Sequence, residues 1–170
     1  MAMGMRAIAY AAGGMAIMMV LSAVAIAQPK KSRSQIAADG WLKAMTDATT
    51  IAPSYDKKRP LAFTVQGEGD ACAKLKSGKA TSASAVKALK ACFVATWSYV
   101  AKEAVVELRD MKSKDLDGDQ LRFSKKAPKG TTWVGARRSY AGQDLAVTMA
   151  LGPDSSVIGV WFVYLENDGE

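Results

Sequence analysis

Apolar residues recur between Thr81 and Met111 at Val86, Leu89, Phe93, Trp97, Val100, Ala104, Leu108 and Met111. Steps of three and four keep one face in register, so the spacing predicts a single long helix of about eight turns. Upstream, Ser34 can cap an earlier helix whose stripe is Ala37, Trp41, Ala44 or Met45, and Ala48. Gly40 interrupts that helix at a cost of about 1 kcal/mol relative to alanine. Between the two, Leu61, Phe63 and Val65 alternate with Ala62, Thr64 and Gln66, the pattern of a strand with one buried face. Residues 71–76 form a short helical turn, and Ser77-Gly78-Lys79 reads as a loop.

Beyond Met111 the period changes. Residues 112–120 are polar and read as a loop; Leu121 and Phe123 suit a short edge strand; Ala127-Pro128-Lys129-Gly130 is a turn. From Thr131 to Leu165 the chain reads as strand, broken by turns at 141–143 and 152–156. The last strand is apolar on both sides. Val157, Trp161, Val163 and Leu165 alternate with Ile158, Val160, Phe162 and Tyr164. Such a strand lies in the middle of a sheet, or its second face lines a pocket or meets a partner. The order predicts an α+β domain with N-terminal helices packed on an antiparallel sheet of about four strands.

The first residues belong to a different problem. Arg6 is followed by an uncharged run from Ala7 to Ala27, and Ala25-Ile26-Ala27 fits the small-x-small site at which signal peptides are cut. The expectation is a signal peptide over 1–27, a polar disordered leader over 28–33, one domain over 34–166 and a frayed acidic tail over 167–170. The destination is then the periplasm or the exterior, with no stable membrane span after cleavage. The alternative is an uncleaved anchor, since the run just reaches spanning length. Cleavage removes Arg6 and no acid, so the formal charge falls from +7 to +6. The basic residues are scattered and interrupted by acids, unlike the concentrated, aromatic-laced patches of nucleic-acid binders. In an exported chain the two cysteines, Cys72 and Cys92, predict a disulfide. Closing a loop of about twenty residues is worth roughly 3 kcal/mol in the chain-entropy account.

Candidate chemistry is sparse. The chain has no histidine, which removes the commonest general base and a common metal ligand. Asp115, Asp117 and Asp119 occupy the first, third and fifth places of a calcium-type loop, yet Gln120 and Lys126 stand where glycine and glutamate are needed. They are the one metal candidate, and the surrounding lysines oppose it; no cofactor is expected. Asp39, Asp47, Glu103, Glu107 and Asp144 are the available acid/base groups. Alternation sends Arg137 and Arg138 to opposite faces of their strand, so one can reach the covered side and bind an anion or an internal acid. With Tyr140, Trp161, Phe162 and Tyr164 they make the candidate pocket or interface.

Helix, strand, short helix and long helix, then antiparallel strands ending in Val-Ile-Gly-Val-Trp-Phe-Val-Tyr (157–164), resemble the cystatin-like cone folds, most closely the NTF2-like superfamily. The resemblance implies a curved sheet that wraps helices and leaves a pocket at its open end. It covers residues 34–166 and transfers no catalytic residue. The expectation is a non-catalytic, exported accessory domain that binds an apolar small molecule or a protein partner, a second copy included, through the terminal sheet. A small hydrolase or isomerase using a carboxylate such as Asp144, and a purely structural envelope protein, are the alternatives.

Overall fold

A computed structural model of the chain describes residues 30–54, 56–66, 70–73, 75, 77–98, 105–140 and 143–166, the side chains of 105, 140, 143 and 164–166 excepted. Its elements are α1 (Arg33–Thr46), β1 (Leu61–Gln66), α2 (Asp70–Ala73), β2 (Gly78–Ala80), α3 (Ala83–Trp97), β3 (Val105–Met111), a 3-10 turn (Ser113–Asp115), α4 (Gly118–Ser124), β4 (Thr132–Tyr140), β5 (Gln143–Leu151) and β6 (Val157–Glu166). The α+β class holds. The sheet has six strands in the order β2-β1-β6-β5-β4-β3, rather than about four. It is also mixed: β3 to β6 form an antiparallel meander, but β1 lies parallel to β6, with Phe63 opposite Val160. Gly78 and Lys79, expected in a loop, belong instead to the strand β2, which pairs Ala80 with Leu61.

The predicted long helix divides in two. Helix α3 stops at Trp97, and Val105–Met111 is a strand running against β4; Val100, Ala104 and Glu103 lie outside the described residues. Leu108 and Met111 fit the helical stripe, but Val105-Val106-Glu107-Leu108-Arg109 also alternates with period two, and β-branched valines favour the strand. A tertiary contact helps to end the helix. The Arg138 guanidinium donates to the Trp97 carbonyl at 2.8 Å and lies 4.6 Å from the centre of the Trp97 ring. A cation on the last carbonyls of a helix is favourable.

Helices α1 and α3 cover one face of the sheet, hereafter the inner face. Ala38, Leu42 and Met45 of α1 and Val86, Leu89 and Phe93 of α3 meet Val134, Ala136, Leu145, Val147, Met149, Val160 and Phe162. The Phe93 and Phe162 rings stack with centroids 4.2 Å apart, and Trp41 meets Phe93 edge-on at 5.8 Å. Helix α1 begins two residues earlier than the pattern suggested. Ser32 is its cap, accepting from the Gln35 amide while the Gln35 side chain returns to the Ser32 amide. Its far end is held by Lys90 of α3. That ammonium donates to the carbonyls of Ala44 and Asp47 and to the Thr50 hydroxyl. The Cys72–Cys92 disulfide joins α2 to α3 as expected, with Cα atoms 4.7 Å apart.

The outer face carries a second, smaller core. Leu121 and Phe123 lie on α4 and not on an edge strand. Phe123 sets its ring edge-on to Trp133 and Trp161, and Leu116, Ala150 and Ile158 complete the cluster. Strand β6 feeds it through a bulge. Leu151 faces Val157, but Ala150 faces Gly159, leaving Ile158 as the extra residue. The expectation that β6 is central is met, and both of its sides are buried near residues 158–162 by elements of the same chain.

Candidate binding site

The residues singled out in the sequence do not converge. Phe162 belongs to the inner core and Trp161 to the outer one. Arg138 reaches the inner face, as alternation predicted for one of the pair, and is 6 % exposed; burial lowers its pKa. Arg137 points the other way and forms an ion pair with Asp144, whose carboxylate raises the pKa of the guanidinium. The side chains of Tyr140 and Tyr164 lie outside the described residues. Asp115 accepts from the Lys112 amide at 2.8 Å, Asp119 accepts from the Thr64 hydroxyl and from Arg122, and Asp117 stands before the first residue of α4. Among the described residues no group of three metal-ligating side chains assembles.

A pocket does exist at one end of the inner face, and its lining was only half legible in the sequence. It lies between α1, the 53–61 connector and the turn joining β5 to β6, with a volume of about 430 Å³. Ala37, Trp41, Leu61, Val86 and Val157 give it an apolar floor, and Ser54, Asp56, Arg59, Ser155 and Ser156 a polar rim. Each wall has a local cause. Ala37 and Trp41 lie one helical turn apart on α1. Leu61 and Val157 open β1 and β6, two strands that run parallel side by side, so both begin at the same end of the sheet. The helical spacing places Trp41 on the α1 stripe, but spacing alone does not show that part of the stripe borders a cavity.

The rim is a hydrogen-bonded turn. The Gly152 amide donates to the Ser156 carbonyl and the Ser155 amide to the Gly152 carbonyl, each at 2.8 Å. Ser155 takes φ +65°, the left-handed region that closes such a turn. Asp154 accepts from the Ser156 hydroxyl at 2.7 Å and its amide at 3.2 Å, and forms an ion pair with Arg59. The Ser156 contacts and then Arg59 hold the Asp154 carboxyl down to about 2. Arg59 is in turn placed by the connector, where its amide donates to the Asp56 carbonyl at 3.1 Å and the Lys58 amide to the Asp56 carboxylate at 2.8 Å.

Two other depressions differ in kind. A trough of about 760 Å³ between residues 48–54 and α3 is larger and more apolar, but alanines and the 91 % exposed Ile51 line it and the Lys90 ammonium is committed to α1. On the outer face, Glu107, Arg109, Met111, Arg137, Asp144 and Ala146 border a groove of about 520 Å³, whose Arg137 and Asp144 are paired with each other. The pocket beside Trp41 joins an apolar floor to polar groups of both charge signs at its mouth, the usual design of a small-molecule site. Among the described residues no helix is long and apolar enough to cross a membrane. Comparison of the chain with protein-family models, with characterised proteins and with solved structures finds no match.

Proposed function

We propose that the protein is a non-catalytic binding domain, exported through its 1–27 segment to the bacterial envelope or exterior, that takes a small, mainly apolar molecule into the pocket beside Trp41. The observation that carries this reading is the 430 Å³ pocket with its apolar floor and its Arg59–Asp154–Ser156 rim. A resemblance to the NTF2-like cone plan agrees with it, because helices gathered on one face and a pocket at the end of the sheet are what that plan provides. The ligand class follows from the lining. Aliphatic or aromatic surface suits Trp41, Leu61, Val86 and Val157, and a polar or anionic head suits the hydroxyls and guanidinium at the mouth.

The enzyme reading rests on one observation, the burial of Asp144, which is 5 % exposed. Its ion pair with Arg137 gives it a structural task. The binding reading therefore stands first.

The test is a titration with 1-anilinonaphthalene-8-sulfonate, an apolar ring system bearing an anion. Wild type should show saturable one-to-one binding. Ala37→Phe, which fills the floor from α1, should weaken it about tenfold or more while leaving the cooperative melt in place. Equal binding by wild type and Ala37→Phe would falsify the assignment of the pocket.

A further inference from the structure

Sheets have two edges, and this chain treats its two differently. Strand β2 closes one side with three residues, Gly78–Ala80, too short to invite pairing. Strand β3 closes the other with seven, and among the described residues it pairs with β4 alone. On the outer face of β3, Glu107 and Arg109 are exposed neighbours two residues apart; on the inner face, Val106 and Leu108 are only half-buried beneath α1.

We propose that the β3 edge is a self-recognition surface, on which a second copy of the chain adds its own β3 antiparallel about a two-fold axis through Leu108. In that register Glu107 stands opposite Arg109 of the second copy, and Arg109 opposite its Glu107, so one strand supplies two ion pairs by symmetry. Leu108 meets its own equivalent on the inner face. The row across the outer face then alternates in sign, because Glu107 already lies beside Arg137 of β4 and would gain Arg109 of the second copy on its free side.

The same two residues exclude the neighbouring two-fold registers. Centring the axis on Glu107 sets Glu107 against Glu107; centring it on Arg109 sets Arg109 against Arg109. Like charges directly opposite are destabilising. Charge on an edge strand is ordinarily a guard against pairing. Here the order of signs guards against the wrong registers and admits one, joining two six-stranded sheets into a continuous one. The surface is separate from the ligand pocket, since β3 lies three strands away from β6, and neither reading depends on the other.

Sedimentation equilibrium on the full chain tests the inference. Wild type should be a dimer whose dissociation constant rises with ionic strength, as exposed ion pairs are screened. Glu107→Arg and Arg109→Glu, each alone, place like charges opposite at both symmetric positions and should weaken the dimer about tenfold or more. The double reversal Glu107→Arg/Arg109→Glu recreates both attractive pairs and should restore it. A monomeric wild type overturns the proposal, as do single reversals that dimerise as well as wild type. Where a variant fails to fold, the salt series on wild type still decides: a dimer indifferent to salt contradicts ion-pair recognition.

Discussion

Gly40 sits in the middle of α1 on its solvent side, and a methyl group built there meets nothing within 4 Å. The residue gives the helix backbone freedom with no packing return, so Gly40→Ala should raise stability by about 0.5–1 kcal/mol, read as a shift in the urea midpoint at constant slope. A loss of stability would mean that an interaction requires the bare backbone there. At the pocket mouth, the Asp154 carboxyl should titrate near pH 2 when followed by NMR, since hydrogen bonds from Ser156 and the charge of Arg59 favour its ionised form. The sign follows from the depressed value. The ties of the 152–156 turn are intact above the ordinary carboxyl range and are lost as pH falls from about 4 through about 2. An Asp154 midpoint close to that of an exposed aspartate would show that the rim is not held as described. Single residues of this kind were only partly legible in the sequence. The disulfide was, because a chain with two cysteines allows a single internal pairing. The buried Arg138 was foreseen only as one of two, because alternation fixes opposite sides without saying which is covered.

Helix α4 is seven residues long, too short to hold itself in water, and owes its place to Phe123 against Trp133 and Trp161. Phe123→Ala should therefore cost about 2 kcal/mol, less than a fully buried phenylalanine, and should release α4 locally before the domain melts. Acrylamide should then quench Trp133 and Trp161 more strongly while far-ultraviolet ellipticity changes little; unchanged quenching would contradict the role given to Phe123. This element also shows where sequence periodicity runs out. Leu121 and Phe123 are two apart and suggest a strand, yet the segment is helical because Phe123 is drawn onto the two tryptophans from elsewhere in the chain. The same ambiguity concealed β3, where Leu108 and Met111 continue the helical stripe while Val106 and Leu108 repeat with the extended period. The strands from Thr132 onward were legible because turn residues and alternation agree there. The parallel neighbour of β6 was not, since nothing local in Leu61–Gln66 names a partner nearly one hundred residues later.

At the scale of the whole molecule, three layers account for the arrangement. Helices α1 and α3 bury the inner face, the disulfide and the Lys90 contacts fasten them, and α4 seals part of the outer face. The two-sided apolar character of β6, which in the sequence fitted a central strand, a pocket wall or a partner surface alike, is largely spent inside the chain. The two proposed surfaces lie where the layers end. One such place is the pocket beside Trp41, where α1 overhangs the start of β1 and β6; another is the open edge at β3. Amide NMR during titration with 1-anilinonaphthalene-8-sulfonate tests the central claim, that the pocket is the binding site, most directly. The account predicts saturable shifts concentrated at Ala37, Trp41, Arg59, Leu61, Val86 and residues 155–157. Shifts that never saturate, or that gather instead along the trough beside Ala83, Ala91 and Ala95, would contradict it.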